Sequence, residues 1–250
     1  MIEVRELRKA FRTLRALDGV DFVARDGEIT GLIGPNGAGK TTTLRILATV
    51  MRPDSGFALV DGRDVVNERL EVQRRIGVLS DNRGLYPRLS AREHILYFGR
   101  LHGLGGRDLA RRVESLSQTL EMGEFIDRRA KGFSKGQTLK VALARALVHE
   151  PGNVLLDEPT NGLDIAASRA MRGLIRAIRD QGRCVIFSSH IMSEVAALSD
   201  RLVVIDHGRV AAQGTPDELR RLAGCDDLED VFMILTGRGP TPSTEPENRR

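Results

Sequence analysis

The stretch of sequence that decides the fold spans residues 34 to 41 and reads Gly34-Pro35-Asn36-Gly37-Ala38-Gly39-Lys40-Thr41. It matches the pattern Gly-x-x-x-x-Gly-Lys-[Ser/Thr], and it lies between an apolar run that ends at Ile33 and a helix-like run around Leu44. A strand, a tight loop and a helix are the setting in which this pattern binds nucleotide phosphates. The alternative is a glycine-rich turn without a ligand, but chance alone should produce the pattern in on the order of one chain in a hundred.

Each residue type in this stretch suits the binding of phosphate groups. The glycines allow sharp turns and bring backbone N–H groups close to a polyphosphate. The helix that follows begins with its positive dipole end at the same anion. Lys40 adds a full charge near the β- and γ-phosphates, and the Thr41 hydroxyl is placed to ligate Mg²⁺. The stretch therefore predicts a nucleotide-binding site.

The composition limits the partners that we expect. A chain of 250 residues and 27.5 kDa suits one large domain or two small lobes, and 41% hydrophobic residues are enough for a core. Aromatic residues make up only 4% and Trp is absent, which argues against a stacking surface for single-stranded nucleic acid. Because the net charge of +4 is also modest, we expect no nucleic-acid partner.

Cysteine usage and the start of the chain bear on its location. Cys184 and Cys225 lack the spacing of a metal site, so we expect a reducing compartment and no structural metal. Residues Met1–Arg5 lack the apolar core of a signal peptide, and no window approaches the ~18 apolar residues that a membrane span requires. We therefore expect a soluble, cytoplasmic chain, for which any membrane role needs another polypeptide.

Apolar strands alternate with helical segments, which predicts an α/β fold with a mostly parallel sheet covered on both faces. A charged helical segment from about Leu85 to Phe125, broken by glycines at 103–106, predicts a helical insertion. Residues 237–250 are rich in Pro, Thr, Glu and Arg, so we expect a disordered tail there. The other elements expected from the pattern are strands Ile2–Leu7, Val20–Ala24, Glu28–Ile33, Phe57–Asp61, Val154–Leu156, Cys184–Phe187 and Arg201–Ile205, and helices Lys40–Val50, Gly136–Val148 and Ala166–Gln181.

Polar side chains that suit hydrolysis follow two of the apolar strands. Asp157 ends one strand, where an acidic residue can hold Mg²⁺, and Glu158 is a natural general base for attack on the γ-phosphate. His190 follows another strand, and strand carboxyl ends of a parallel sheet gather at the edge where ligands bind. The alternatives are that the carboxylates only begin a loop and that the histidine only caps the next helix.

A second loop also presents backbone N–H groups at the start of a helix. Phe133-Ser134-Lys135-Gly136-Gln137 precedes the predicted helix from Gly136, with Ser134 as a candidate cap. Two anion-binding helix starts on one chain are redundant unless they face the same nucleotide across a dimer.

This set of motifs resembles the ATP-binding subunits of ABC transporters. Five motifs occur in the family's order, and the resemblance covers about residues 1 to 236. They are Gly34–Thr42 for Walker A, Phe133–Gln137 for the signature loop, Val154–Glu158 for Walker B with its glutamate, Asn161–Asp164 for the D-loop, and His190 for the switch histidine.

The resemblance implies an ABC ATPase fold over residues 1–236. This fold has a P-loop NTPase core, an N-terminal antiparallel β part and a helical subdomain at about 85–150. It also implies that the chain binds ATP and Mg²⁺, that Lys40, Glu158 and His190 are catalytic, and that Phe11 stacks on adenine. The metal ligands implied are Thr41, Asp81 and Asp157. The nucleotide contacts implied are Phe11, Val20, Gly34, Pro35, Asn36, Gly37, Ala38, Gly39, Lys40, Thr41, Thr42, Ser134, Lys135, Gly136, Gln137 and Asp164.

Two positions depart from the family's usual pattern. Asp81 stands where the family has the glutamine of the Q-loop, and aspartate keeps an oxygen ligand but is shorter and adds a negative charge. Lys135 stands where the signature loop usually has glycine, and it either approaches the triphosphate of the opposite subunit or points to water. With Gly84–Ser90, these variations look most like the Nat-type subclass.

Members of that subclass power sodium efflux and are related to multidrug and polysaccharide exporters. The resemblance therefore implies the ATP-hydrolysing motor of an exporter, attached to a transmembrane permease at the cytoplasmic face of the membrane. Two such subunits, identical or related, should enclose two ATP molecules head to tail, with the region near Asp81–Arg100 gripping a helix of the permease. Another exporter, an importer ATPase, a soluble ABC ATPase and a regulatory module without turnover are the alternatives.

Overall fold

A computed structural model describes residues 1–81 and 84–238 of the chain. Within these ranges the strands are β1 (Ile2–Phe11), β2 (Leu14–Ala24), β3 (Ile29–Ile33), β4 (Ser55–Val60), β5 (Arg63–Asp64), β6 (Ile76–Leu79), β7 (Asn153–Asp157), β8 (Cys184–Ser189), β9 (Arg201–Asp206) and β10 (Arg209–Gly214). The helices are α1 (Lys40–Leu47), α2 (Arg69–Arg75), α3 (Ala91–Leu101), α4 (Gly106–Thr119), α5 (Lys135–Leu147), α6 (Ile165–Asp180), α7 (Met192–Leu198), α8 (Pro216–Ala223) and α9 (Leu228–Leu235).

The larger sheet has six strands in the order β10-β9-β3-β8-β7-β6. All neighbours pair in parallel except β9 and β10, so the predicted mostly parallel sheet is confirmed. Every residue of β3, β7 and β8 is buried, because helices or a second sheet cover both faces. In β7, Val154 and Leu156 face one hydrophobic core while Leu155 faces the other.

The smaller sheet is antiparallel, with the strand order β2-β1-β4-β5. Its first two strands are longer than predicted and form a hairpin that extends to Phe11 and Leu14. The simple alternation of the sequence does not reach so far, because the pairing shifts register after Leu7 and Glu6 adopts a left-handed φ of 44°. This sheet packs with α1 and α2 against one face of the parallel sheet.

Helices α3 to α5 form the predicted helical region, and the glycine-rich break falls between α3 and α4. Ser90 caps α3, and Ser134 caps α5 as predicted; each side chain accepts from a backbone N–H three residues later at 3.1 Å. In both cases the third residue, Glu93 or Gln137, bonds back to the cap and completes a capping box. These helices pack on the opposite face of the parallel sheet from α1.

The sequence reasoning did not predict β5, α2, β6, β10, α8 or α9. A signal for α8 was present, because Thr215-Pro216 with Glu218 forms a capping box with proline at the first helical position. The predicted disordered tail falls almost wholly on residues 239–250, which lie outside the described residues. Arg238, at its start, donates to Asp206 at 2.7 Å. No helix of the described part of the chain is long and apolar enough to span a bilayer.

The parallel sheet gathers the predicted functional residues at one edge. The carboxyl ends of β3, β7 and β8 lie side by side, with Leu156 opposite Phe187 and Ile33 opposite Ser189. Residues 34–41, called the phosphate loop below, follow β3, whereas Glu158 follows β7 and His190 follows β8. This edge is where ligands of such sheets bind.

Candidate nucleotide site

A cavity of about 400 Å³ lies at this edge of the parallel sheet. Its wall joins the hairpin end of the antiparallel sheet, the phosphate loop with the start of α1, and the residues that follow β6, β7 and β8. The residues that line it are Phe11, Leu14, Ala16, Asn36, Gly37, Ala38, Gly39, Lys40, Thr41, Thr42, Asp81, Glu158, Asn161 and His190. The volume falls within the range of about 300–1,000 Å³ that is usual for small-molecule sites.

The phosphate loop requires glycine at two positions for different reasons. A Cβ at Gly34 would lie 2.1 Å from the carbonyl oxygen of Ile205, so the loop could not leave β3 so close to β9. Gly39 has a φ of 113°, and a Cβ there would lie 2.7 Å from the carbonyl oxygen of Ala16. Both glycines therefore fix the path of the loop around its N–H groups.

Lys40 begins α1 and is only 6% exposed. Its ammonium donates to the carbonyl oxygens of Gly34 at 2.6 Å and Pro35 at 3.1 Å, so these two residues act through their backbone. Burial lowers the pKa of Lys40, against the opposing effect of the carboxylates of Glu158 and Asp157. The loop thus holds a cation beside the N–H groups that begin α1, which favours an anion at this end of the cavity.

Asp157 is buried at the end of β7 and accepts two hydroxyl hydrogen bonds on one oxygen. Ser188 Oγ donates to Oδ1 at 2.6 Å, and Thr41 Oγ1 donates to the same atom at 3.1 Å. Ser188 is the register partner of Asp157 across the parallel pair. Hard oxygen atoms from the phosphate loop and the sheet therefore meet at one point, which is the donor type that Mg²⁺ prefers.

Glu158 stands in a strained backbone conformation with a φ of 50°, outside the range that non-glycine residues usually adopt. Its N–H donates to Ser188, with 3.2 Å to the carbonyl oxygen and 3.1 Å to the hydroxyl. Its side chain is 13% exposed, and both carboxylate oxygens lie 3.0 Å from Nδ1 of His190. Since an ionised carboxylate only accepts, Nδ1 of His190 is the donor.

Ser188 is a site residue that the sequence reasoning missed. It supports both carboxylates, through Asp157 Oδ1 and the N–H of Glu158. The signal was the Ser188-Ser189-His190 run at the end of an apolar strand, but its use depends on β8 lying beside β7.

The hairpin end supplies an apolar wall at the far side of the phosphate loop. Phe11 is 43% exposed, with Nζ of Lys9 5.8 Å from its ring centroid, and Leu14 and Ala16 lie with it on the wall. The expectation for Val20 needs correction. Its side chain is fully buried in the core between the sheets, so it does not line the cavity.

The second predicted anion-binding loop is separate from this cavity. The described residues that line the cavity do not include Ser134, Gly136, Gln137 or Asp164. Asp164 caps α6 by accepting from the N–H of Ala167 at 2.8 Å. Lys135 is exposed, and its side chain passes close to Gly162, where a Cβ would lie 2.9 Å from Nζ.

Asp81 connects these two regions. It is exposed, and it lines both the nucleotide cavity and a neighbouring cavity of about 320 Å³. That neighbour is lined by Asp81, Phe133, Lys135, Thr138, Asn161 and Gly162.

Comparisons with known proteins agree with this geometry. The sequence model of the ABC transporter family matches residues 17–161. The chain is 43% identical over 229 residues to the ABC transporter ATP-binding protein NatA of Bacillus subtilis (strain 168), covering 91% of this chain and 93% of that protein. It is 38% identical over 227 residues to the daunorubicin/doxorubicin resistance ATP-binding protein DrrA of Streptomyces peucetius, covering 91% and 69%.

The fold is also similar to a solved dimeric structure of a bacterial ABC transporter cassette. The TM-score is 0.77 at 25% identity, and the match covers 86% of this chain and 98% of that chain. The family match contains the phosphate loop, Asp157 and Glu158. The chain therefore belongs to the ABC transporter family, and it is an ATP-binding protein with ATPase activity.

Proposed function

We propose that this ATPase is the motor subunit of an exporter and drives efflux through a separate membrane permease. The observation that supports the catalytic part is that one cavity is lined by Lys40, Thr41 and the Glu158–His190 pair. Thr41 also donates to the buried carboxylate of Asp157 at 3.1 Å. The likeness to NatA and to a drug-resistance ATP-binding protein supports the export part.

In this proposal the phosphate loop binds the triphosphate of ATP. The backbone N–H groups of residues 36–42 and the positive end of α1 bind phosphate oxygens, and Lys40 pairs with the β- and γ-phosphates. Lys40 would exchange its bonds to Gly34 and Pro35 for bonds to phosphate. Phe11 would stack on adenine, and Leu14 and Ala16, rather than Val20, would complete that wall.

Thr41 and Asp157 are the residues that fit Mg²⁺. Their oxygens lie 3.1 Å apart on adjacent elements, and Mg²⁺ in nucleotide sites commonly uses one or two protein carboxylates together with substrate phosphates and water. When bound, the ion would supply positive charge against the charge that develops on the phosphates. Asp81 lines the same cavity and is proposed as a further ligand that acts through its carboxylate.

Glu158 is proposed as the general base. The oxygen of a water molecule bonds to the γ-phosphorus while the bond to the bridging oxygen breaks, and a water proton passes to Glu158, giving ADP and inorganic phosphate. His190 donates from Nδ1 to the carboxylate and so orients it towards the reacting end of the cavity. The strained backbone of Glu158 and its two bonds to Ser188 hold the carboxylate in place.

The active form is proposed to be a head-to-tail dimer that encloses two ATP molecules. The start of α5, with Ser134 to Gln137, does not line the cavity of its own chain, and in this proposal its first N–H groups would bind an anion held by another subunit. The dimeric cassette of similar fold supports this arrangement. Since ATP would bridge the interface, binding would close the dimer and hydrolysis would open it.

The membrane partner follows from the same proposal. The helical region near residues 81–100 would hold a cytoplasmic helix of the permease, which would place the chain at the cytoplasmic face of the membrane. Sodium is the proposed cargo, and a drug or polysaccharide exporter is the second candidate, favoured by the likeness to DrrA. Identifying the membrane protein that co-purifies from native cells, and measuring ATP-dependent sodium release with it in proteoliposomes, tests cargo and direction together.

The first prediction is that Glu158→Gln binds MgATP about as well as the parent but loses most hydrolysis. Removing a positioned general base typically costs on the order of 10²–10⁴ in rate. The ATP-bound dimer should accumulate and be visible by light scattering. Glu114→Gln, which changes an exposed carboxylate on α4, is the matched control and should hydrolyse like the parent. Parent-like hydrolysis by Glu158→Gln would remove Glu158 from this role.

A further inference from the structure

A second cavity of about 720 Å³ lies among α4, α5 and α6 and shares no lining residue with the nucleotide cavity. Two residues of its wall, Glu150 and Arg183, come shortly before β7 and β8. The cavity therefore lies towards the amino ends of these strands, at the opposite edge of the sheet from the nucleotide site. Its size lies within the usual range of about 300–1,000 Å³ for small-molecule sites.

The inner surface of this second cavity is apolar. Leu143, Leu147 and Ile178 form it from α5 and α6, and each is at most 8% exposed. Leu116 of α4 packs against the same core from the other side. Leu104, Leu116 and Leu174 also line the cavity and are only half-buried, so the hydrocarbon part of a ligand would remove their remaining apolar area from water.

Three arginines line the polar rim, and one of them, Arg183, forms no ion pair with a residue that the structure describes. Arg111 pairs with Asp108, and Arg112 pairs with Glu150 at 3.1 Å. The Arg183 side chain is half-buried, and it makes no hydrogen bond or ion pair with any residue that the structure describes. Burial lowers the pKa of its guanidinium, and the charge of Glu150 offsets this only in part. A partly desolvated guanidinium in this state favours an anionic partner.

The neighbouring histidine indicates that the same region is electropositive. Nδ1 of His149 is buried and has no hydrogen-bond partner among the described residues. Burial, His102, Arg112 and Arg183 lower the pKa of His149 to about 4. Two guanidinium groups thus act on this ring, and only one of them, that of Arg112, has a carboxylate partner.

We propose that this cavity binds a small amphipathic carboxylate. The hydrocarbon part would cover Leu104, Leu116 and Leu174, and the carboxylate would accept from the guanidinium of Arg183. One unpaired guanidinium matches one negative charge, and its planar fork of donors matches the two oxygens of a carboxylate. The hydrocarbon part and the carboxylate of the ligand are therefore each recognised by a different part of the cavity.

Octanoate is the probe that tests this site, with 1-octanol as a probe without charge and acetate as a probe without a chain. Calorimetry on the parent should show saturable binding of octanoate at one site and at least tenfold weaker binding of the other two. Arg183→Gln should lower the affinity for octanoate by about tenfold or more, as expected for a lost charge-assisted hydrogen bond. It should leave the affinity for 1-octanol unchanged. Arg169→Gln, on the exposed face of α6, is the matched control and should bind octanoate like the parent.

Two further measurements separate a binding role from a structural one. Because the Arg183 side chain forms no hydrogen bond or ion pair within residues 1–81 and 84–238, Arg183→Gln should not lower the thermal unfolding midpoint measured by circular dichroism. Ala177→Phe, which places a ring in the wall, should abolish binding of octanoate and 1-octanol alike. Octanoate should also shift the His149 ring resonances in the parent but not in Arg183→Gln at the same concentration. The proposal is overturned if the folded parent shows no saturable octanoate binding, or if Arg183→Gln binds octanoate as tightly as the parent.

Discussion

At the scale of single residues, Glu158 is held in a backbone conformation that is energetically unfavourable. A non-glycine residue in the left-handed region costs on the order of 1–3 kcal/mol, and it persists where its surroundings fix it. Here Ser188 binds the N–H of Glu158, and His190 binds its carboxylate. The two carboxylates could be named from the sequence, but Ser188 could not, because its position depends on the parallel pairing of β7 with β8.

For Val20, by contrast, the sequence pattern alone indicates that the side chain is buried. Val20, Phe22 and Ala24 alternate along β2, and all three are buried in the core. Such alternation is typical of the inward face of a strand. The cavity is instead lined by Ala16, which lies at one of the register shifts of the β1–β2 pairing, between Leu17 opposite Lys9 and Arg15 opposite Ala10. That shift could not be predicted from the strand pattern alone.

A pH dependence of stability is expected from His149. Its pKa is lowered to about 4, so between about pH 6.5 and pH 4 the unfolded chain binds a proton at this residue that the folded chain does not. The free energy of unfolding therefore falls as the pH is lowered through this range. His149→Gln should remove this contribution, and urea unfolding followed by circular dichroism at pH 7 and pH 5 should show a smaller loss than in the parent.

Other groups also titrate in this range, so the comparison needs a control. His207 is exposed in the turn between β9 and β10, and His207→Gln should keep the pH dependence of the parent. An equal loss of stability between pH 7 and pH 5 in the parent and in His149→Gln would contradict the expected effect of burial.

At the scale of elements, the buried strands were the most predictable part of the chain. β3, β7 and β8 are short apolar runs, and they are apolar because both faces of the sheet are covered. The stripe of Met171, Ile175 and Ile178 in α6 is buried as its helical period predicts. Short α2 buries only Val72, so its sequence carries too little periodicity to predict it.

Two capping boxes allow a controlled test of the signature-like loop at the start of α5. Ser134→Ala and Ser90→Ala each remove a cap bond of 3.1 Å, and each should cost about 1 kcal/mol of stability. Only Ser134 belongs to the loop proposed to bind the nucleotide of the opposite subunit. Ser134→Ala should therefore weaken ATP-dependent dimerisation of a hydrolysis-deficient Glu158→Gln background, as measured by light scattering.

Ser90→Ala in the same background is the matched control, since it weakens a helix cap that is not part of the proposed interface. It should dimerise with ATP like the background protein. Equal dimerisation by the two variants, at similar stability, would restrict Ser134 to its role as a helix cap.

At the scale of the whole molecule, both sheets and the helical region contribute to one edge. The antiparallel sheet contributes Phe11, the ends of the parallel strands β7 and β8 contribute Glu158 and His190, and the segment after β6 contributes Asp81. Asp81 also lines the neighbouring cavity with Phe133 and Lys135, close to the start of α5. A change at the phosphates therefore has a short path through Asp81 to the helical region. Asn82 and Arg83, the next residues of the expected Q-loop, lie outside the described residues.

The last prediction tests whether Asp81 links these two regions. If it does the work of the family's glutamine, Asp81→Ala should reduce permease-stimulated ATPase activity more than the basal activity of the isolated subunit, because Lys40, Asp157 and Glu158 stay. Asp81→Gln should retain the stimulation, since it keeps an oxygen ligand and removes one charge beside the triphosphate. Both activities are measured with and without the permease in proteoliposomes.

Asp217→Ala is the control for loss of an exposed carboxylate, because Asp217 pairs only with Arg220 at 2.9 Å among the described ion pairs and lies on α8. It should leave both activities unchanged. If Asp81 were an ordinary exposed loop residue, its loss would shift stability by no more than ~0.5 kcal/mol and would resemble Asp217→Ala in transport as well. The two hypotheses, a coupling role and an ordinary loop position for Asp81, therefore predict different ratios of permease-stimulated to basal ATPase activity. A parent-like ratio in Asp81→Ala would exclude Asp81 from coupling, whereas a lowered ratio restored by Asp81→Gln would assign coupling to the oxygen ligand rather than to the charge.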